Sequence, residues 1–315
     1  MPLPTLTENQ FSHSGDKTTF YWSAGLSDGP LIIFGGPEAY ALEHYLSDLL
    51  ALLTYLRREK AVWVGHDWGA ALVWGFASHH LDKCVAVCCL CVPYVTIDPV
   101  ALCSLSNRNV YPEDEFPYAQ WDYQIHHNEQ PEATTVVLSY NIPNTIKAFY
   151  RAGNPEAYGK PARTSYIRKI GGWFAPSPGV PDVPIEKTMF KDNRPAFDRI
   201  VAEFKRNGFE GPNNYYRNIE ANKAYAAKAP NGGRLSFPVL FIGARFDITC
   251  DTTTSRLSEP MRELCEDLTE VTIDAGHWVA MEKPEETNSA IVRWIATKVP
   301  TYFPGYWKTP FVTRV

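Results

Sequence analysis

The residues Gly65-His66-Asp67-Trp68-Gly69 stand between an apolar run at 61–64 and a helix-like run at 70–77. A nucleophile flanked by small residues at a strand-to-helix junction forms an elbow, a tight turn that lifts one side chain above a sheet. The flanking glycines fit, because the turn is cramped and a Cβ there would clash. The raised residue is a carboxylate, and that selects the chemistry. A serine attacking an sp³ carbon leaves an ether that water does not cleave, whereas a carboxylate leaves an ester that activated water hydrolyses. Asp67 therefore points to substrates with an electrophilic alkyl carbon, such as epoxides or alkyl halides. The same residue also suits a plain helix N-cap, so its partners decide between the two.

Two downstream segments offer those partners. An apolar run at 238–243 ends in Ala244-Arg245-Phe246-Asp247, and a strand-like run at 268–273 ends in Asp274-Ala275-Gly276-His277-Trp278. The order nucleophile, acid, histidine, each just past a strand, is that of a triad on an open parallel sheet. Of the eight histidines, only His277 follows such a strand. His126 and His127 fall in the middle of the chain, His79 and His80 end a helix, and His66 is expected to face away from the raised residue.

The elements that must position these groups alternate. Strands are predicted at 18–24, 31–34, 61–64 and 85–91, with helices at 39–58 and from the elbow to about residue 80. Such alternation means a mostly parallel sheet with helices on both faces. From about Pro93 the rhythm breaks, and helices are predicted at 135–151 and 194–206 with no buried strand. Strands return at 238–243 and 268–273, and a last helix spans 285–298. The expected organisation is a core of residues 1–97 and 237–315 with a helical cap of residues 98–236 inserted.

Composition narrows the partners. The chain has 315 residues, 45% hydrophobic and 21% charged, with a net charge of −5. That is ordinary for a globular protein and gives no basic surface for nucleic acid. The start reads as no signal peptide, and no run is long enough to span a membrane. Seven cysteines, an odd number with four crowded at 84–91, read as reduced thiols packed in a cytoplasmic protein. Cys88 and Cys91 have the spacing of a metal pair, but residues three apart on a strand face opposite ways and no histidine adjoins them in sequence. No metal and no cofactor are expected.

The words around these residues resemble the soluble epoxide hydrolase family, within the α/β-hydrolase fold. Gly-His-Asp-Trp-Gly-Ala at 65–70 matches that family's elbow, and the similarity runs from about Thr18 to Ile295. The segment from Phe209 to Asn218 resembles the one carrying an oxirane-activating tyrosine, here Tyr216. Trp121-Asp122-Tyr123-Gln124 resembles the segment carrying the other, here Tyr123. The resemblance implies attack by Asp67 on an oxirane carbon, with both tyrosines hydrogen-bonding the oxygen. His277, oriented by Asp247, then activates water against the ester. Backbone N–H groups of Trp68 and Gly36 would hold the oxyanion, and Gln124 and Trp278 would line the substrate site. The partners implied are a small apolar epoxide and water, with a homodimer as a possible assembly.

Two departures from the family pattern are visible. Phe34 stands where members carry a histidine before their Gly-x-Pro turn. Only residues 38–60 separate Pro37 from the elbow strand, room for one helix where members have a further helix and strand. The strand at 31–34 then loses a neighbour unless the hairpin around 18–24 covers its edge. Three readings stand: an epoxide hydrolase; a haloalkane dehalogenase, which also pairs Asp with Trp; and a catalytically impaired variant caused by the missing segment.

Overall fold

The computed structural model describes residues 7–13, 17–23, 32–35, 41–175 and 179–300. Strands β1 (Thr7–His13) and β2 (Lys17–Ser23) pair antiparallel as a separate hairpin. The strands β3 (Ile32–Gly35), β4 (Ala61–His66), β5 (Cys84–Leu90), β6 (Leu235–Ala244) and β7 (Cys265–Ile273) form one all-parallel sheet in that order. This is the parallel sheet expected from the alternating pattern, and it agrees with the α/β-hydrolase fold that the resemblance implies.

Helices α1 (Leu42–Tyr55) and α2 (Trp68–His79) cover one face of the sheet. There Trp63, Val87, Cys89, Val239 and Phe241 meet Leu46, Leu53 and Phe76. The alternate strand positions, Val62, Val64, Ala86, Cys88, Leu240 and Ile242, pack on the opposite face against Trp294. The near-continuous apolar strands are what a parallel sheet buried on both faces requires.

After β5 come α3 (Pro99–Leu102), α4 (Asp122–Glu129), α5 (Pro131–Ser139), α6 (Ile142–Phe149), α7 (Ile167–Ile170), α8 (Arg194–Asn207), α9 (Glu210–Asn214) and α10 (Ile219–Ala226). Among its described residues this stretch contains no strand, and it has its own apolar clusters, one centred on Phe190, Phe197 and Leu138. Helix α11 (Glu259–Leu264) precedes β7, and α12 (Val279–Glu282) and α13 (Pro284–Lys298) follow it.

Three expectations need correction. The helix predicted at 135–151 is two helices, because the Asn141 side chain accepts from the Asn144 amide (3.2 Å) and caps a new start just before Pro143. The hairpin does not cover the edge of the sheet. Phe11 stacks on Tyr55 of α1 (4.6 Å between rings), and among the described strands β3 pairs only with β4. Cys88 and Cys91 do not face opposite ways: Cys91 lies past the end of β5 at φ +66°, which breaks the alternation and returns it to the cluster holding Cys88. All seven cysteines are buried and free.

Trp63 is the largest side chain between sheet and helix beneath the elbow. It is fully buried, lies 4.1 Å from the Phe76 ring and donates from Nε1 to the Lys83 carbonyl (3.1 Å). Trp63→Ala should lower unfolding free energy by about 3–5 kcal/mol, the range for truncating a large buried aromatic, as measured by urea denaturation.

Candidate active site

The elbow follows from local sterics. Strand β4 is buried along its length and stops at His66, and Asp67 takes φ +54°, ψ −123° before α2 begins at Trp68. A non-glycine residue there is strained, and such strain persists only where the surroundings impose it. Gly65 shows how tight the turn is: a Cβ would lie 2.3 Å from the Gly69 carbonyl oxygen. Asp67 holds the N-cap position of α2 through its backbone carbonyl, which accepts from the amides of Ala70 (3.0 Å) and Ala71 (3.2 Å), but its side chain makes no cap hydrogen bond. Its carboxylate instead lies 3.0 Å from His277 Nε2 and keeps 38% of its surface, lining a cavity of about 120 Å³.

The acid and the histidine arrive on the loops after β6 and β7. His277 Nδ1 lies 2.7 Å from Asp247 Oδ2, and the other oxygen of Asp247 accepts from the amides of Thr249 (2.8 Å) and Cys250 (3.1 Å) and from the Thr249 hydroxyl (2.8 Å). Burial alone would raise the Asp247 pKa, but the His277 charge and these donors pull it down to about 2. Burial would also raise Asp67, yet the hydrogen bond and charge of His277 hold it below its usual value, with the Trp68 amide contributing. His277 runs the other way. Burial lowers its pKa, and the carboxylates of Asp247 and then Asp67 outweigh that and hold it well above 6.5. All three shifts favour the charged forms, an imidazolium between two carboxylates.

Tyr123 lies on α4 and Tyr216 in the single turn after α9, their rings 5.8 Å apart and near perpendicular. Tyr216 meets the Trp68 ring edge-on at 5.2 Å. Burial, and then for Tyr216 the Asp67 charge, keep both phenols well above 10 and therefore protonated. Gln124 lines the cavity and donates to the Tyr123 hydroxyl (3.2 Å). Trp278, like Tyr216 and His277, is not among the residues lining that cavity; its indole donates to the Phe149 carbonyl (2.9 Å) and its ring stacks on Tyr150 at 4.0 Å. Gly36 lies outside the described residues.

Several residues escaped the sequence reading. His66 does not merely face away: its Nε2 donates to the His277 carbonyl (2.7 Å), and Cys91 Sγ donates to that same oxygen (3.0 Å). Two donors on one carbonyl pin the histidine loop to the ends of β4 and β5. His66, Cys91 and His277 also bring three possible ligand atoms within 4.8 Å of one another, so histidines do adjoin Cys91. Burial, reinforced by the Asp247 charge, keeps that thiol protonated, and a protonated thiol is a poor metal ligand. His127, buried beside Tyr216 at 4.3 Å, accepts from Trp173 Nε1 (2.8 Å), and burial takes its pKa down to about 3. Glu282 accepts from the amides of both Gly153 (3.0 Å) and Gly276 (2.8 Å), tying the segment after α6 to the histidine loop. None of these contacts follows a sequence spacing that could have announced it.

Comparison with known proteins agrees with this geometry. The alpha/beta hydrolase fold family matches residues 23–284. The chain is 31% identical over 262 residues to the bifunctional epoxide hydrolase 2 of Sus scrofa, covering 82% of this chain but only 43% of that protein. It therefore spans less than half the length of that relative. It is 32% identical over 279 residues to epoxide hydrolase A of Mycobacterium tuberculosis (strain ATCC 25618 / H37Rv), covering 82% and 76% respectively. Among solved structures, epoxide hydrolase A from Mycobacterium thermoresistibile superposes with a TM-score of 0.66 at 23% identity over 93% of this chain and 99% of that one. An epoxide hydrolase from Vigna radiata gives 0.70 at 21% identity over 92% and 98%. Fold and site together define an α/β hydrolase. Within that class, the chain belongs to the epoxide hydrolase family.

Two expectations follow from the charge arrangement. Asp67→Asn removes one of the two carboxylates that raise His277, so the imidazole pKa should fall when titrated by NMR; an unchanged value would mean that the pair does not interact. The Asp247 contribution to stability is present above the unfolded carboxylate value of about 3.9 and is lost as pH falls through about 2. The Asp247→Asn protein should therefore lose part of the acid-side slope of stability against pH.

Proposed function

We propose that this protein hydrolyses an epoxide to a vicinal diol through a covalent alkyl ester on Asp67. The observation that carries this reading is the position of His277, 3.0 Å from Asp67 and 2.7 Å from Asp247, beside two protonated tyrosines. The ionised Asp67 attacks one ring carbon, the C–O bond breaks, and the phenols of Tyr123 and Tyr216 donate to the developing alkoxide. Ester formation removes the Asp67 charge, so one of the two causes that raise His277 vanishes and its pKa falls. The imidazolium gives its proton, by way of a phenol, to the alkoxide, and the neutral His277 then takes a proton from the water that attacks the ester carbonyl. The Trp68 amide is suited to the oxyanion, the ester then breaks, and diol leaves with Asp67 restored. A core of residues 1–97 and 237–315 with a cap of residues 98–236 supplies the triad and the tyrosines respectively.

The tyrosines favour this reading over dehalogenation, because a halide leaves without needing a proton. Single-turnover reaction in ¹⁸O-labelled water should place label in the Asp67 peptide, and Asp67→Asn should abolish turnover. Release of halide from alkyl halides, with Tyr216→Phe indifferent, would favour a dehalogenase instead. A folded protein that yields neither label nor diol would support the impaired variant.

The carbonyl clamp gives a separate expectation. Cys91→Ala removes one donor from the His277 carbonyl and should slow ester hydrolysis about fivefold, the equivalent of roughly 1 kcal/mol for one hydrogen bond. Alkylation should change less, so the ester accumulates in rapid-quench experiments. Cys91→Ser retains a donor and should recover most of the rate.

A further inference from the structure

Two phenols can share one epoxide oxygen only if their rings keep a fixed relation, and here they are carried on different elements. Tyr123 is on α4, whereas Tyr216 is in the single turn at Tyr215–Arg217 that follows α9. The Tyr216 hydroxyl is within hydrogen-bonding reach of the Trp68 side chain and of Tyr123. Its ring lies against His127, with 4.3 Å between centroids and 34° between planes. His127 follows Tyr123 by four residues on α4, so both project from one face of that helix. It is 4% exposed and stands edge-on to the Tyr123 ring at 6.1 Å. One helix thus carries both the first phenol and the ring on which the second phenol rests.

Polar contacts fix the rotation of that imidazole. Trp173 Nε1 donates to Nε2 (2.8 Å), so the proton of the neutral ring is on Nδ1. The Trp173 ring also stands edge-on to His127 (5.7 Å) and to Tyr123 (5.8 Å). Asn213, buried on α9, is the second polar side chain that interacts with the imidazole, and its Nδ2 donates to Thr135 Oγ1 on α5 (2.7 Å). Because α9 leads directly into the turn carrying Tyr216, Asn213 ties the approach to that tyrosine to the same imidazole. Burial, and then the neighbouring His126, take the His127 pKa down to about 3, so no cation stands beside the phenol to favour its ionised form. A phenyl ring would fill the same space and stack as well, but nothing would hold its orientation.

We propose that His127 is a positioning residue for the oxirane-activating pair: held in one orientation by Trp173 and Asn213, it fixes the Tyr216 ring against Tyr123 so that both hydroxyls meet one epoxide oxygen. The inference rests on the epoxide hydrolase reading above. It ties His127 to the alkylation step, because the phenols act while the C–O bond breaks, whereas ester hydrolysis depends on His277. His127 forms no bond to substrate and moves no proton; it acts through the placement of Tyr216.

The test compares His127→Phe, Trp173→Phe and the double variant with the unmodified protein, using styrene oxide in single turnover. Rapid quench follows ester formation and ester decay separately. Each single variant should slow alkylation about tenfold, short of the hundredfold that a misplacement of about 1 Å costs, and should change ester decay by less than about twofold. The double variant should be no slower than His127→Phe, because both substitutions remove the same hydrogen bond. In ¹⁵N spectra at neutral pH the unmodified imidazole should show a proton-bearing Nδ1 and a bare Nε2, and Trp173→Phe should turn this into a mixture of tautomers. If His127→Phe fails to fold, Trp173→Phe leaves the imidazole in place and still gives the comparison of steps and the spectra. Folded variants with unchanged alkylation, or with both steps slowed equally, overturn the positioning role and leave the epoxide reading intact. Failure of the unmodified, folded protein to form ester or diol from any epoxide overturns both.

Discussion

One imidazole held between two carboxylates is the arrangement on which the rest of this structure depends. His277 sits 2.7 Å from Asp247 and 3.0 Å from Asp67, in surroundings where an unpaired charge is expensive. The three groups satisfy one another, and Asp247 spends its remaining capacity on two backbone amides and a hydroxyl. Removing the charge on either carboxylate changes what the imidazole is. That coupling ties the state of the imidazole to the charge on Asp67.

Holding this trio in place needs rigid supports that converge from distant parts of the chain. The elbow fixes Asp67 through backbone crowding around Gly65. The ends of β4 and β5 reach the His277 carbonyl through His66 and Cys91, and Glu282 gathers the amides of Gly153 and Gly276.

The sheet contrasts with this rigidity. Strand β3 pairs on one side only among the described residues, and the hairpin that could have covered it is committed to α1 through Phe11 and Tyr55. Strands β4, β6 and β7, which lead to Asp67, Asp247 and His277, lie in the interior or at the far edge of the described sheet. The edge that β3 forms among the described strands is therefore separated from the acid and the histidine, although β3 adjoins the strand that leads to Asp67.

Much of this protein was legible in its residue order. Short-range rules dictate the alternating strands and helices, and the glycine-flanked Asp67 announces its own turn because the steric demand is local. Asp247 and His277 were singled out because each directly follows a strand, and Tyr123 and Tyr216 because the words around them resemble those of the family; the structure brings Asp247 and His277 to Asp67 and sets the two tyrosine rings 5.8 Å apart. The split at Asn141 was written locally too, in an Asn followed by Pro143, but helical spacing across it concealed the break. What only the tertiary structure decided has no local signature. Cys91 on the His277 carbonyl, His127 under Tyr216 and Trp278 turned onto Tyr150 all arise from residues far apart in the chain. Their contacts are set by how layers pack, and packing is a property of the assembled volume that no periodicity along a single strand or helix encodes.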